Sequence, residues 1–117
     1  MSPAPIKPEI NISDLEKIDI RAGTIMAAVA LENSRKLAKL TVDFGDHQRS
    51  ILAGIVQERA DLDEVVGVQA LFVVNLPPRT MAGELSEGML FDIGYADGLT
   101  PVLIVTEKPV ANGSRAG

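Results

Sequence analysis

The sequence predicts an all-β domain with short helices, a five-stranded Greek-key barrel of the OB type. Three observations lead there. Apolar residues alternate in several short runs separated by turn residues, the pattern of half-buried strands. Gly23 interrupts the first run, as a bulge or sharp bend would where a strand coils into a small barrel. A single short helical stretch falls between the third and fourth strands, which suits such a barrel. Pattern alone also fits other small barrels and sandwiches. The 117 residues show no internal repeat and suit one domain.

In order along the chain, residues 1–11 carry prolines at 3, 5 and 8 and are expected to form a flexible arm, with the domain over 12–117. Ser13-Asp14-Leu15-Glu16 has the form of a capping box, a hydroxyl followed three residues on by a carboxylate, and predicts a helical turn ending near Lys17. Residues 18–22 alternate as a strand, and the apolar pattern resumes at Ile25 and runs to Val29. The clearest strand is 38–44: Ala38, Leu40, Val42 and Phe44 share one face, Lys39, Thr41 and Asp43 the other. Gly45-Asp46-His47 is a turn, and 49–55 returns as the partner strand. His47, at the hairpin tip, reads as an exposed turn residue. Residues 61–66 form a short helix with acidic residues in its first turn, stopped by Gly67.

Residues 68–76 are almost wholly apolar and predict a central strand buried on both faces. Pro77 and Pro78 then stop the ladder, because neither has an N–H to donate. Arg79 is left at the strand mouth, and Gly83 and Gly88 bracket a short polar run holding Ser86. This loop has the look of a binding rim. Residues 89–95 are another strand, Ala96-Asp97-Gly98 a turn, 102–105 the last strand, and 109–113 a final turn.

Composition excludes several chemistries. Cysteine is absent, which removes disulfides, thiolate nucleophiles and cysteine-based metal sites. His47 is the single histidine, so a Ser-His-Asp triad, a two-histidine zinc site and an HExxH motif have no place. Neither GxGxxG nor GxxxxGK[ST] occurs, and nothing places two carboxylates in a shielded cleft. The expectation is a chain without catalytic residues, metal or cofactor. No apolar run approaches the roughly 20 residues that span a bilayer, and the N-terminus lacks the apolar stretch of a signal peptide. A soluble, cytoplasmic protein is expected, with no membrane insertion.

The net charge of −5 weighs against strong non-specific binding to nucleic acid, yet local charge decides local binding. Acidic residues concentrate at Glu58, Asp61, Asp63 and Glu64, and basic ones at Arg35, Lys36 and Lys39, with Arg21, Arg49 and Arg79 scattered. Phe44, Phe72, Phe91 and Tyr95 are too few, and too much in core strands, for single-strand binding by base stacking.

Asp14-Leu15-Glu16-Lys17-Ile18-Asp19-Ile20-Arg21-Ala22-Gly23-Thr24-Ile25 resembles the opening of the tRNA-binding OB-fold domain family. That family includes C-terminal extensions of methionyl-tRNA synthetases, free-standing dimeric tRNA-binding proteins and the CsaA export-related chaperones. Asn33-Ser34-Arg35-Lys36-Leu37, Val42-Asp43-Phe44-Gly45, Leu52-Ala53-Gly54-Ile55, Asn75-Leu76-Pro77-Pro78-Arg79 and Ser86-Glu87-Gly88-Met89 resemble its further elements, in the right order. The series covers about residues 13–115.

The resemblance implies an OB barrel with N- and C-terminal extensions that make a homodimer, and recognition of the tRNA fold without dependence on anticodon sequence. Such recognition rests on phosphates, 2′-hydroxyls and shape. Carried over position by position, it implies Asn33, Lys36, Arg49, Arg79, Ser86 and Met89 as contact residues. Arginine offers a planar fork to phosphate, serine a donor and acceptor to ribose, and methionine a soft apolar contact. Three of the six have structural alternatives: Met89 as core, Ser86 as a loop tie, and Arg79 as an ion-pair partner of Glu84 or Glu87.

The branches of the family divide the sequence between them. Glu87 stands where tRNA binders often carry glutamine, and Pro77-Pro78-Arg79 is closer to the chaperones. Leu52-Ala53-Gly54-Ile55 and Gly88-Met89 are closer to the synthetase type. The first expectation is a tRNA-binding homodimer. The alternative is a chaperone holding unfolded preprotein for the secretion machinery, through apolar contacts at Met81, Leu85 and Met89. The RNA reading further requires Lys36, Arg49 and Arg79 to share one side of the barrel.

Overall fold

A computed structural model describes residues 2–57 and 59–117. Met1 of the arm and Glu58 of the acidic run lie outside the described residues. The elements are α1 (Ile12–Leu15), β1 (Ile20–Ala30), β2 (Ala38–Asp43), β3 (Gln48–Ala53), a 3-10 turn (Leu62–Val65), β4 (Gln69–Val73), β5 (Arg79–Met81), β6 (Glu84–Ser86), β7 (Met89–Leu90), β8 (Asp92–Ile93), a second 3-10 turn (Tyr95–Asp97), β9 (Val102–Leu103) and β10 (Arg115–Ala116). The main sheet runs β3-β2-β1-β4-β7, with β10 also on β1, and every pairing is antiparallel. It curls into the OB-type barrel that the sequence predicts. No helix is long and apolar enough to cross a membrane.

The curl depends on β1. Its first half, Ile20 to Thr24, pairs with β4, and its second half, Thr24 to Ala30, pairs with β2. The register breaks between Ile25 and Ala27, so the bulged residue is Met26 and not Gly23. Gly23 serves close approach instead. A Cβ there would lie 2.6 Å from Val42 Cγ1 and 2.8 Å from Phe44 Cε1, both of which fill the barrel. The inward face read from residues 38–44 is correct: Ala38, Leu40, Val42 and Phe44 are all buried. They join Ile25, Ile51, Ile55, Val65, Phe72 and Leu90 in one core, with Phe44 and Phe72 edge to face at 5.7 Å. Full burial of each large apolar side chain contributes roughly 1.5–3 kcal/mol.

Other elements depart from expectation. The capping box does not form. The helix starts two residues earlier, with Asn11 rather than Ser13 at the N-cap and no side-chain cap. A four-residue turn gains little from its own caps. It is held by the fold: Asn75 Oδ1 accepts from Asp19 N at 2.9 Å and Asn75 Nδ2 donates to Lys17 O at 2.7 Å. The predicted helix over 61–66 is a 3-10 turn over Leu62–Val65, with Asp61 accepting from Asp63 N, and it ends at Gly67 in a left-handed conformation (φ +87°).

The centre of the sheet is β1, and β4 lies between it and β7. Ala70, Phe72 and Val73 are buried, whereas Gln69 and Leu71 on the outer face are half-buried. That outer face is bordered by the C-terminal segment and, at Leu71, by the groove of the N-terminal turn. Leu71 N donates to Ile104 O, and Gln69 holds residues 106–112 by four bonds, to Thr106 Oγ1, Val110 N, Val110 O and Asn112 Oδ1. The single strand expected over 89–95 breaks at Phe91 into β7, on β4, and β8, on β9.

Candidate nucleic-acid interface

The loop after β4 is a hairpin, β5–β6, turned at Ala82 (φ +49°) and Gly83 (φ +80°). Two successive positive φ values are what a tight I′ hairpin turn requires. Ala-Gly is an unusual pair for it, which is why the strand pair was not legible in the sequence.

The base of this hairpin closes the barrel. β3 is an edge strand, and its free side is taken by Ser86 and Glu87. Ser86 Oγ accepts from Leu52 N at 3.0 Å and donates to Gly88 O at 2.9 Å. Glu87 Oε1 accepts from Ser50 N at 2.9 Å, and Glu87 N donates to Ser50 O at 2.8 Å. Gly88 lets the seam shut: a Cβ there would meet Ile51 Cδ1 at 3.0 Å and Val73 O at 3.1 Å. Ser86 is 3% exposed and its hydroxyl is committed on both sides. It is the loop tie of the two readings, not a hydroxyl open to a ligand. Glu87 is likewise turned into the seam, so its carboxylate does not stand free on the rim.

Arg49, at the start of β3, crosses the end of the barrel. Nη1 donates to Val74 O at 2.7 Å and to Glu87 O at 3.0 Å, and Nε donates to His47 Nε2 at 3.0 Å. The guanidinium carbon lies 5.9 Å from the Phe44 ring centre, and His47 stacks on the same ring at 5.6 Å. All three acceptors are neutral, and Arg49 has no carboxylate within ion-pair distance among the described residues. It is a fixed, half-buried cation without a counter-ion.

Arg79 is exposed on β5, opposite Ser86. It pairs with neither expected carboxylate, because Glu84 faces Lys39 at 3.7 Å and Glu87 is in the seam. Met89 is 47% exposed, so it is not core, and it sits across from Val73 beside the seam. Asn33 and Lys36 are exposed in the β1–β2 loop, which is closed by Leu31 N to Leu37 O and by Ser34 Oγ accepting from Leu37 N. The Lys36 side chain runs past Gly54, just beyond the end of β3.

The sequence-derived cations therefore lie about one strand. Arg49 is at its start and Lys36 past its end, while Arg79 is one strand removed, on β5 beyond β6. The span from residue 49 to residue 54 is about 16 Å at the usual rise of a strand. Arg49 is opposite Val42, on the barrel side of the strand, whereas Lys39 opposite Leu52 and Thr41 opposite Ser50 belong to the other face, where Leu52 is buried. In OB folds the face of the second and third strands, between these two loops, is the common site for oligonucleotides.

A second group at the barrel end was not foreseen. Arg21 holds Asp19 through two bonds, Nε to Oδ1 at 2.9 Å and Nη2 to Oδ2 at 3.0 Å. This pairing, with help from Arg115 and Arg49, keeps the Asp19 carboxyl below the usual carboxylate range. Asp46 is lowered too, chiefly by its bond to His47 Nδ1 at 2.6 Å. Arg21 and Arg115 face each other between β1 and β10, a register that no local pattern announces. The His47-x-Arg49 spacing, which puts both on one face of a strand, was the signal available in the sequence.

The comparisons agree with this architecture. Residues 20–115 match the family described as putative tRNA binding domain. A methionine–tRNA ligase from Chlorobium luteolum is 44% identical over 87 residues, 74% of this chain and 12% of that protein. The chain thus spans about an eighth of the length of that relative. The crystal structure of a MetRS-related protein from Pyrococcus horikoshii superposes with a TM-score of 0.85 at 32% identity, covering 95% of this chain and all (100%) of that one. The chaperone CsaA from Bacillus anthracis gives 0.82 at 26% identity, covering 94% and 100%. With the barrel, the seam and the matched span in agreement, the chain belongs to the putative tRNA-binding domain family.

Proposed function

We propose that the chain is a non-catalytic, cytoplasmic tRNA-binding module that works as a homodimer and holds the RNA backbone along β3. The observation that carries the reading is Arg49, a guanidinium immobilised by three neutral acceptors with no carboxylate within ion-pair distance among the described residues. A preset cation binds a phosphate oxygen without first giving up an ion pair. Arg79 and Lys36, exposed on either side, extend the strip, and Asn33 and Met89 flank it. Ser86 contributes by fixing the rim. The family match and the likeness to the MetRS-related protein support the same ligand class.

The test is a titration with bulk tRNA at several salt concentrations. Arg79→Ala, on an exposed side chain, should weaken binding and reduce the slope of log K against log salt by about 1. Binding that ignores salt, or an unchanged slope in the variant, would sink the proposal.

The dimer is supported by apolar side chains left open on the far flank: Ile12, Leu15 and Ile18 near the N-terminal turn, and Ile93, Tyr95 and Val102 around β8–β9. Two linked copies of a modest site gain affinity wherever their spacing fits one RNA. A second reading, a holder of unfolded polypeptide, is favoured by the likeness to CsaA and by the exposed Leu85, Leu76 and Met89 along the hairpin. Salt-insensitive retention of an unfolded polypeptide, without retention of tRNA, would select it.

A further inference from the structure

Arg49 is held in place partly by a titratable neighbour. Its Nε–H points at His47 Nε2, 3.0 Å away, and an N–H can be received there only by an unprotonated nitrogen. The proton of the neutral ring must then sit on Nδ1, where Asp46 Oδ1 accepts it at 2.6 Å. Phe44 backs both His47 and Arg49 and keeps them in line. The arrangement is thus specific to one tautomer of one charge state.

We propose that His47 is a positioning residue for Arg49, and that its protonation breaks this latch at Nε while Nη1 stays on Val74 O and Glu87 O, so that a second cation stands beside the fixed one and the affinity of this face for RNA phosphate rises as the pH falls. The proposal rests on the tRNA-binding reading above and names a control acting on that same site. When Nε2 gains a proton, two N–H groups and two positive charges meet in one contact. They must separate or take an anion between them, and a backbone phosphate is that anion. By linkage, whatever binds the doubly charged arrangement better is bound more tightly at lower pH.

The charged groups around the latch leave the imidazole as the one that changes state. Asp46 and Asp19 are carboxylates held below their usual range, by His47 and Arg21 respectively, and stay ionised between pH 5 and pH 8. Asp43 accepts from Gly45 N within the same turn. The Glu87 carboxylate is tied to Ser50 N. Arg21, on β1, has its pKa raised further by its bond to Asp19 and keeps its charge, and Arg115 faces it from β10.

The experiment uses the full chain and bulk tRNA at constant ionic strength between pH 8 and pH 5.5. The expected result is a rise in affinity of about three- to tenfold across that interval. In His47→Gln, whose carbonyl still accepts from Arg49 but never titrates, the rise should vanish; titration of the RNA itself is common to both proteins. An equal rise in the variant, or none in the parent, overturns the proposal. A second arm needs no RNA. Nitrogen-15 spectra should show the Nδ1–H tautomer of His47 at pH 8 and a slowly exchanging Arg49 Nε–H that loses protection as the imidazole titrates. An Arg49 signal indifferent to that titration overturns the latch. If tRNA is not retained at any pH, the RNA reading and its control fall together, and the spectra alone decide whether the imidazole–guanidinium link exists.

Discussion

Ser86 shows how a residue can be marked in the sequence yet act differently from its apparent chemistry. A serine between two glycines in a polar run is legible as important. Its burial is not, because burial depends on β3 arriving alongside. With Leu52 N and Gly88 O both bonded to it, Ser86→Ala leaves a buried donor and acceptor without partners. The expected cost is about 1–3 kcal/mol in chemical denaturation, with any loss of tRNA affinity following from a loosened rim. The Asp19–Arg21 pair makes a different prediction. The folded-state pKa of Asp19 lies below its ordinary 3.8, so the pair adds stability above that value and loses it as the pH falls further. Arg21→Ala should therefore lower stability near pH 7, where the pair's contribution is fully present, with the difference from the parent shrinking as Asp19 protonates, and acid unfolding should move to higher pH. A midpoint unmoved by the substitution would show the pair to be idle. Met89 and Arg79 were legible as exposed rim residues only in part, since their neighbours could equally have buried or paired them.

At the level of elements, strong alternation was reliable and special local motifs were not. The β2 face was readable because one side of that strand lines the barrel along its whole length. The capping box failed because Asn75, 64 positions away from Asn11, sets where the first turn sits. The bend was assigned to Gly23 because glycine and bulge often coincide, whereas the glycine answers to Val42 and Phe44 across the interior. The β5–β6 hairpin was missed because Ala82 occupies a conformation that alanine seldom adopts. Ala82→Asn restores the Asn-Gly pair that such turns prefer, and should stabilise the protein by about 0.5–1 kcal/mol. Thermal unfolding measures it, and a lower midpoint would mean that the turn is not of this type.

For the molecule as a whole, the sign of the net charge was a poor guide. A total of −5 coexists with Lys36, Arg49 and Arg79 having no carboxylate within ion-pair distance among the described residues, since Glu84 and Glu87 are engaged elsewhere. The fold class was recoverable because the five strands of the β3-β2-β1-β4-β7 path survive errors of a few residues at each boundary. The site was recoverable only as a region, because register between distant strands decides which side chains meet. The open apolar flank yields a prediction at this scale. The protein should sediment as a dimer at micromolar concentration, and Ile93→Asp, on an exposed position of β8, should shift it toward monomer without unfolding it. A parent protein that stays monomeric would remove the second copy from the proposal.

β10 lies against the beginning of β1, and the turn over Ile12–Leu15 borders the same groove as Arg115, Ala116 and Gly117. Ile12 and the C-terminal residues consequently border one groove, beside the barrel end where Arg21, Arg115 and Arg49 all act on Asp19. A bulky group tethered at this groove would therefore stand near Arg49 and compete for access to it.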